Sequence, residues 1–162
     1  MNQEPEFRDR AAFRIVGIER YTESGIPAIR EAWAEFGRRA GEIKHALSDA
    51  AYGIEDYSRH FDMNKGGFPK YYYIAGLEVD SFADIPDGMT GKEIPTGHYA
   101  VFSYSGPLDD LHSFFSYIYA DWMPHSGYSM DLRLSLDFEF YPERVMDMHA
   151  AKLEIWVPVI KE

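Results

Sequence analysis

Apolar residues recur along this chain with two different periods. Ile26, Ile29, Trp33, Phe36 and Ala40 fall at relative positions 0, 3, 7, 10 and 14, and Leu108, Leu111, Phe115, Ile118 and Trp122 repeat those five offsets. A period near 3.6 places each set on one stripe of a helix that must bury against something. Pro27 suits the first turn of the first helix and Gly41 its end. Pro107 precedes the second helix, Asp109 and Asp110 stand where the positive end of its dipole favours acids, and Pro124 stops it. Ile29, Trp33, Phe36, Leu111, Phe115 and Ile118 are expected in the core. Trp122 is expected as a packing residue at a helix end, bordering any cleft there. The other periodic stretches, 13–20, 51–57, 71–79, 99–104, 132–141 and 153–159, read as strands. The clearest alternates Leu134, Leu136, Phe138 and Phe140 with Ser135, Asp137, Glu139 and Tyr141, the signature of a half-buried antiparallel strand.

In chain order these elements spell strand–helix–strand–strand twice. The helix stripes start 82 positions apart, Glu55 and Tyr57 precede Glu139 and Tyr141 by 84, and the third strands begin 82 apart. Two copies are too few for a solenoid. The spacing predicts an α+β fold, a tandem pseudo-two-fold repeat of strand–helix–strand–strand units with antiparallel sheets and a central cleft. Residues 1–162 then form a single domain: repeat one over about 12–80, a linker over about 81–97 rich in Pro and Gly, and repeat two over about 98–160. Each helix is expected on one face of its own three-stranded sheet, with the opposite sheet faces meeting near the pseudo-axis.

That arrangement leaves a face to explain. On the alternating strand it carries Glu139 between Asp137 and Tyr141, and on the last strand Glu154 and Trp156. Ligand sites are mostly apolar clefts with a few placed polar groups. A cleft walled by Tyr and Trp with a glutamate at its floor suits an organic cation, each cation–π contact adding about 0.5–2 kcal/mol. The alternative is a solvent-exposed face with Glu139 as a surface acid.

Composition narrows the chemistry. The 162 residues are 16% aromatic and carry a formal charge of −11, which argues against direct nucleic-acid binding, since neutralising phosphates needs a basic face. With no cysteine there is no thiolate nucleophile, disulfide framework or Cys-based zinc site. The histidines 45, 60, 98, 112, 125 and 149 are scattered with no ligand spacing, and Lys65-Gly66-Gly67 has the wrong order for a phosphate loop. No metal and no cofactor are expected. The acidic start, Met1-Asn2-Gln3-Glu4-Pro5-Glu6, is unlike an export signal, and no apolar run approaches a membrane span. A cytoplasmic protein is expected.

Four stretches together resemble the GyrI-like small-molecule-binding proteins, relatives of the effector-binding domains of AraC- and MerR-type bacterial regulators. They are Tyr99-Ala100-Val101-Phe102-Ser103-Tyr104-Ser105-Gly106-Pro107-Leu108, Asp121-Trp122-Met123-Pro124-His125-Ser126-Gly127-Tyr128, Phe138-Glu139-Phe140-Tyr141 and Glu154-Ile155-Trp156-Val157-Pro158-Val159. Ala32-Trp33 and Tyr52-Gly53-Ile54 fit in the first half. The resemblance implies a stand-alone module that binds amphipathic, cationic aromatic small molecules between the repeats, with Glu139 and Trp156 as pocket residues and Tyr141 on the same face. Tyr57 and Tyr73 are the further expected walls. With no helix-turn-helix segment in the sequence, a separate regulator partner protein is implied. Two other readings stay open. Glu139 as general base points to a hydrolase of reactive electrophiles. The acidic residues Asp80, Asp84, Asp87, Asp109 and Asp110 point to a gyrase-inhibitor-like protein that binds another protein.

Overall fold

Strands form where β-branched and aromatic residues dominate, and helices where apolar residues return every three or four positions. The computed structural model describes residues 3–63 and 67–162; Met1, Asn2, Lys65 and Gly66, all noted above, lie outside them. The first half runs β1 (Glu6–Arg10), β2 (Phe13–Tyr21), α1 (Ile26–Arg39), β3 (Ala46–Asp56), β4 (Tyr72–Val79) and β5 (Thr90–Ile94). The second runs β6 (Gly97–Gly106), α2 (Leu111–Tyr117), a π-helical turn (Ile118–Trp122), α3 (Met123–Ser126), β7 (Tyr128–Met130), β8 (Leu136–Tyr141) and β9 (Ala151–Lys161). Three strands, β1, β5 and β7, were not legible as period-two segments. Of these, β5 lies inside the expected linker and pairs with β2 from Phe13↔Ile94 to Gly17↔Thr90.

The strands pair in the order β1-β6-β9-β8-β3-β4-β2-β5, all antiparallel, with β7 joined to the end of β9. Outward from the β3–β8 seam, each repeat presents its second, third and first strand in turn. The pseudo-two-fold axis therefore passes through that seam. The expected pair of sheets meeting face to face is corrected here. β3 and β8 instead pair edge to edge, from Ala51↔Tyr141 to Asp56↔Leu136. Two repeats would otherwise each end in a strand edge of unpaired backbone groups, and joining them removes both edges.

Both helices then lie on one face of this single sheet. α1 packs with Val16, Ile18, Tyr73, Ala75 and Leu77, and α2 with Ala100, Phe102, Ile155 and Val157. Trp33 touches both clusters. On the other face Phe13, Ile15 and Ile94 share one core with Tyr99, Val101 and Trp156, residues from opposite ends of the sheet. The sheet must curl to bring them together. Gly17 and Gly76 pair directly across β2 and β4, and a Cβ at Gly17 would stand 2.1 Å from the Ala75 carbonyl oxygen, so the bend there requires glycine.

The helix stripes are rotated from their expected positions. Phe36, Ile118 and Trp122 are buried, whereas Ile29, Trp33, Leu111 and Phe115 are half-buried at the margins of the clusters. The buried lines are Ala28, Ala32 and Phe36 in α1 and Phe114, Ile118 and Trp122 along the second helical segment. The small Ala28 and Ala32 let α1 lie close to the sheet. The π turn adds a residue to its turn and keeps the second line on the core side. Among the described residues, no helix is long and apolar enough to cross a membrane.

Candidate functional site

The seam strands carry the chemistry. In β3 and β8 the register pairs Glu55 with Asp137 and Gly53 with Glu139. Period two puts these four residues and Tyr141 on one face, the face under the helices. Three carboxylates thus sit side by side, with Glu55 3%, Asp137 0% and Glu139 6% exposed.

Tyrosines surround them. The Tyr57 hydroxyl donates to Asp137 Oδ2 at 2.9 Å, and Tyr119, carried by the π turn, donates to the same oxygen. Tyr73 and Tyr141 both donate to Glu139 Oε1, at 3.0 and 2.7 Å. The Trp33 indole of α1 donates to the Tyr73 hydroxyl at 2.8 Å, and its ring lies edge-on to Tyr141 at 5.2 Å. Gly53 makes room for this network, because a Cβ there would stand 2.1 Å from the Tyr73 hydroxyl and 2.9 Å from Glu139 Oε1. Both carboxyl oxygens of Glu55 and Oδ1 of Asp137 receive no donor from the tyrosines or the backbone.

The electrostatics follow from this geometry. Burial, which penalises the charged form, pushes all three carboxyls up, and Glu55 furthest because Glu139 and Asp137 stand beside it. Among the described residues, no ion pair reaches any of the three. Like charges this close in a dry site cannot all ionise, so the cluster holds protons. A protonated Glu55 can donate to either neighbour, which gives one of its two otherwise orphaned oxygens a partner. Burial also raises Tyr57, Tyr73, Tyr119 and Tyr141 well above the usual phenol range, which keeps their hydroxyls as donors. No group of three or more His, Asp or Glu among the described residues is arranged to hold a metal ion.

Of the residues singled out in the sequence, Glu139, Tyr141, Tyr73 and Tyr57 come together here. Trp156 does not. The β8–β9 register sets Glu139 opposite Ile155 and Phe138 opposite Trp156, so Trp156 projects from the other face. There it stacks on Phe138 at 5.4 Å, donates to Glu154 at 3.0 Å, and lies 5.5 Å from both the Arg8 and Arg10 guanidinium carbons. The expectation that Glu139 lies on the face away from the helices is corrected as well. The more apolar row of β8 (Leu136, Phe138, Phe140) takes the core within the curl, which turns the acidic row toward the helices. Sequence reasoning left out Glu55, Asp137, Trp33, Tyr119 and Gly53. The 84-residue spacing to Glu139 pointed to Glu55, and adjacency on the same face pointed to Asp137. For Tyr119 no signal existed, because a π turn places it.

Two surface hollows lie elsewhere. One of about 390 Å³ is bordered by Phe7, Asp121, Trp122 and Tyr128, and one of about 540 Å³ by Ser103, Tyr104, Pro142 and Lys152. Of the aromatic residues around the acids, Trp33, Tyr57 and Tyr119 are only partly buried.

The architecture has solved counterparts. SAV2435 bound to tetraphenylphosphonium superposes with a TM-score of 0.68 at 18% identity, covering 98% of this chain and 94% of that one. The C-terminal domain of EcmrR gives 0.69 at 15% identity over the full length of both. At these identities the likeness shows the fold. The transcriptional regulator BrlR of Pseudomonas aeruginosa is 27% identical over 163 residues, 98% of this chain and 56% of the regulator. The chain thus spans little more than half the length of that relative. The family model for the GyrI-like small molecule binding domain matches residues 3–160, nearly the whole chain, which therefore belongs to the GyrI-like family.

Proposed function

We propose that this small-molecule-binding domain takes amphipathic organic cations, with the carboxyl groups of Glu139, Glu55 and Asp137 as the acidic floor and Tyr57, Tyr73, Tyr119, Tyr141 and Trp33 as the walls. The observation that carries this reading is three buried carboxyl groups with no basic partner among the described residues, ringed by aromatic hydroxyls. Such a site is too acidic for an anion and too polar for a neutral hydrocarbon. A delocalised cation with aromatic surface satisfies the carboxylates and stacks on the rings at once. Its way in lies past Trp33, Tyr57 and Tyr119, the partly buried members of the ring. Tetraphenylphosphonium, the ligand of SAV2435, has this chemistry. The homology to part of BrlR supports a role as the effector-sensing portion of a regulatory system.

The test is titration of the protein with tetraphenylphosphonium and with uncharged triphenylphosphine oxide, read by tryptophan quenching. Glu139→Gln is expected to weaken the cation at least about tenfold, about 1.4 kcal/mol, while the neutral compound keeps its affinity. Equal weakening of both, or no binding of the cation to the native protein, overturns the proposal.

A further inference from the structure

The floor of the site contains one more acid than a single cation needs, and that acid comes from the other repeat. Glu55 is directly opposite Asp137 and diagonal to Glu139 across the seam, and neither of its oxygens accepts a hydrogen bond from any hydroxyl or amide. Among the described residues, these titratable groups stand around it. From β8 come Asp137, Glu139 and Tyr141, from β4 Tyr73 with Tyr71 just before the strand, from the residue that follows β3 Tyr57, and from the π turn Tyr119. Above them α1 contributes Trp33, which is uncharged. Each of these titratable groups is an acid or a phenol. Asp137 and Glu139 each have an oxygen held by two tyrosine donors, which stabilise the ionised form, whereas Glu55 has none. The tyrosine donors therefore favour the ionised form of Glu139 and Asp137 over that of Glu55.

We propose that Glu55 is the proton-releasing group of the site, a neutral acid when no cation is bound and a carboxylate when one is, so that the domain takes up an organic cation in exchange for a proton. The exchange balances: one positive charge enters, one proton leaves Glu55 for bulk water, and the net charge of the buried cluster is unchanged. Linkage makes the consequence reciprocal. Cation affinity rises with pH across the range in which the unliganded site binds the proton and the liganded site does not, and a bound cation makes Glu55 a stronger acid. The site then discriminates by charge through the cost of removing a proton, which a neutral aromatic never repays. This inference rests on the cation-binding reading above and assigns a role to a residue of the opposite repeat.

Isothermal titration with tetraphenylphosphonium in phosphate, Pipes and Tris buffers at one pH counts protons, because the heat varies linearly with the buffer's ionisation enthalpy. The expected slope is close to one proton released per cation bound. Affinity of the native protein should rise between pH 5 and pH 8, by up to tenfold per pH unit where release is complete. Glu55→Gln is expected to bind the cation with a slope near zero and an affinity nearly independent of pH. Native protein that binds tetraphenylphosphonium with neither proton release nor pH dependence overturns the exchange and leaves the binding reading standing. A Glu55→Gln protein that still releases a full proton overturns the assignment to Glu55. No binding at any pH removes both readings.

Discussion

Replacing Gly53 by alanine tests whether the acid network is set by a missing side chain. The added Cβ would fall 2.1 Å from the Tyr73 hydroxyl and 2.9 Å from both Tyr73 Cζ and Glu139 Oε1. Tyr73 is fully buried, so its ring has little freedom to retreat. Overpacking of a core typically costs about 1–3 kcal/mol, and loss of the Tyr73–Glu139 hydrogen bond about 1 kcal/mol more. Alanine recovers about 0.5–1 kcal/mol as a better strand residue than glycine. The net expectation is a loss of about 2 kcal/mol, or roughly 4–8 °C in melting temperature for a chain of this size. Calorimetry reads the stability. The cause is read by a double-mutant cycle with Tyr73→Phe, which removes the nearest colliding atom. If the hydroxyl is the obstacle, Gly53→Ala costs clearly less when combined with Tyr73→Phe than alone, with a coupling of about 1 kcal/mol. A Gly53→Ala protein as stable as the native one, or a cost that does not change on removing the Tyr73 hydroxyl, refutes the reasoning.

Adjacent residues at the end of β3 should give opposite pH responses. Burial raises Asp56 less than the Ser58 hydroxyl and amide and the Lys92 ammonium lower it, so it is held below the usual carboxylate range; its stabilisation is present above about pH 4 and disappears as pH falls through its folded value. Glu55 is raised by burial, so the stability tied to its proton is complete below about pH 4 and disappears as pH rises. In urea unfolding at pH 8, Glu55→Gln should therefore be more stable than the native protein by about 1–3 kcal/mol, with the gain shrinking toward pH 4, whereas Asp56→Asn should be less stable at pH 8; a common sign refutes the assignment. On the other sheet face, Arg10 lies 3.7 Å from the Phe13 ring centre, donates to Tyr52 at 2.9 Å and pairs with Glu78 at 3.1 Å. Arg10→Ala should cost about 1–2 kcal/mol and shift the emission of Trp156, and an unchanged urea midpoint would remove Arg10 as the tie between β1 and the core.

Much of this was legible in the chain because it depends on local periodicity. The two helices, the duplication and the shared face of Glu139 and Tyr141 all follow from spacing within a few residues or between copies. What was not legible depends on pairing between distant strands. In β9, Leu153, Ile155 and Val157 alternate with Glu154 and Trp156, but only the register against β8 decides which row lies beneath the helices. Phe115 and Leu111 looked like core because a 3.6-residue period was carried through a segment that contains a π turn. Strand β5, Thr90-Gly91-Lys92-Glu93-Ile94, has no alternation to betray it and is ordered by pairing with β2. The acid cluster was half visible: Glu139 stood out for its aromatic flanks, while its counterpart Glu55 was seen only as a marker of the repeat.

The seam between the repeats is not as symmetric as the backbone. Glu55 and Glu139 exchange across the pseudo-axis, each 84 positions from the other, but the position equivalent to Asp137 is Gly53. One side of the axis presents an extra acid, and the other a gap filled by the Tyr73 hydroxyl. A guest lying across the axis, as proposed above, would therefore meet two unlike ends. Such a site would tell head from tail in a ligand that a strictly two-fold pocket would accept in either sense.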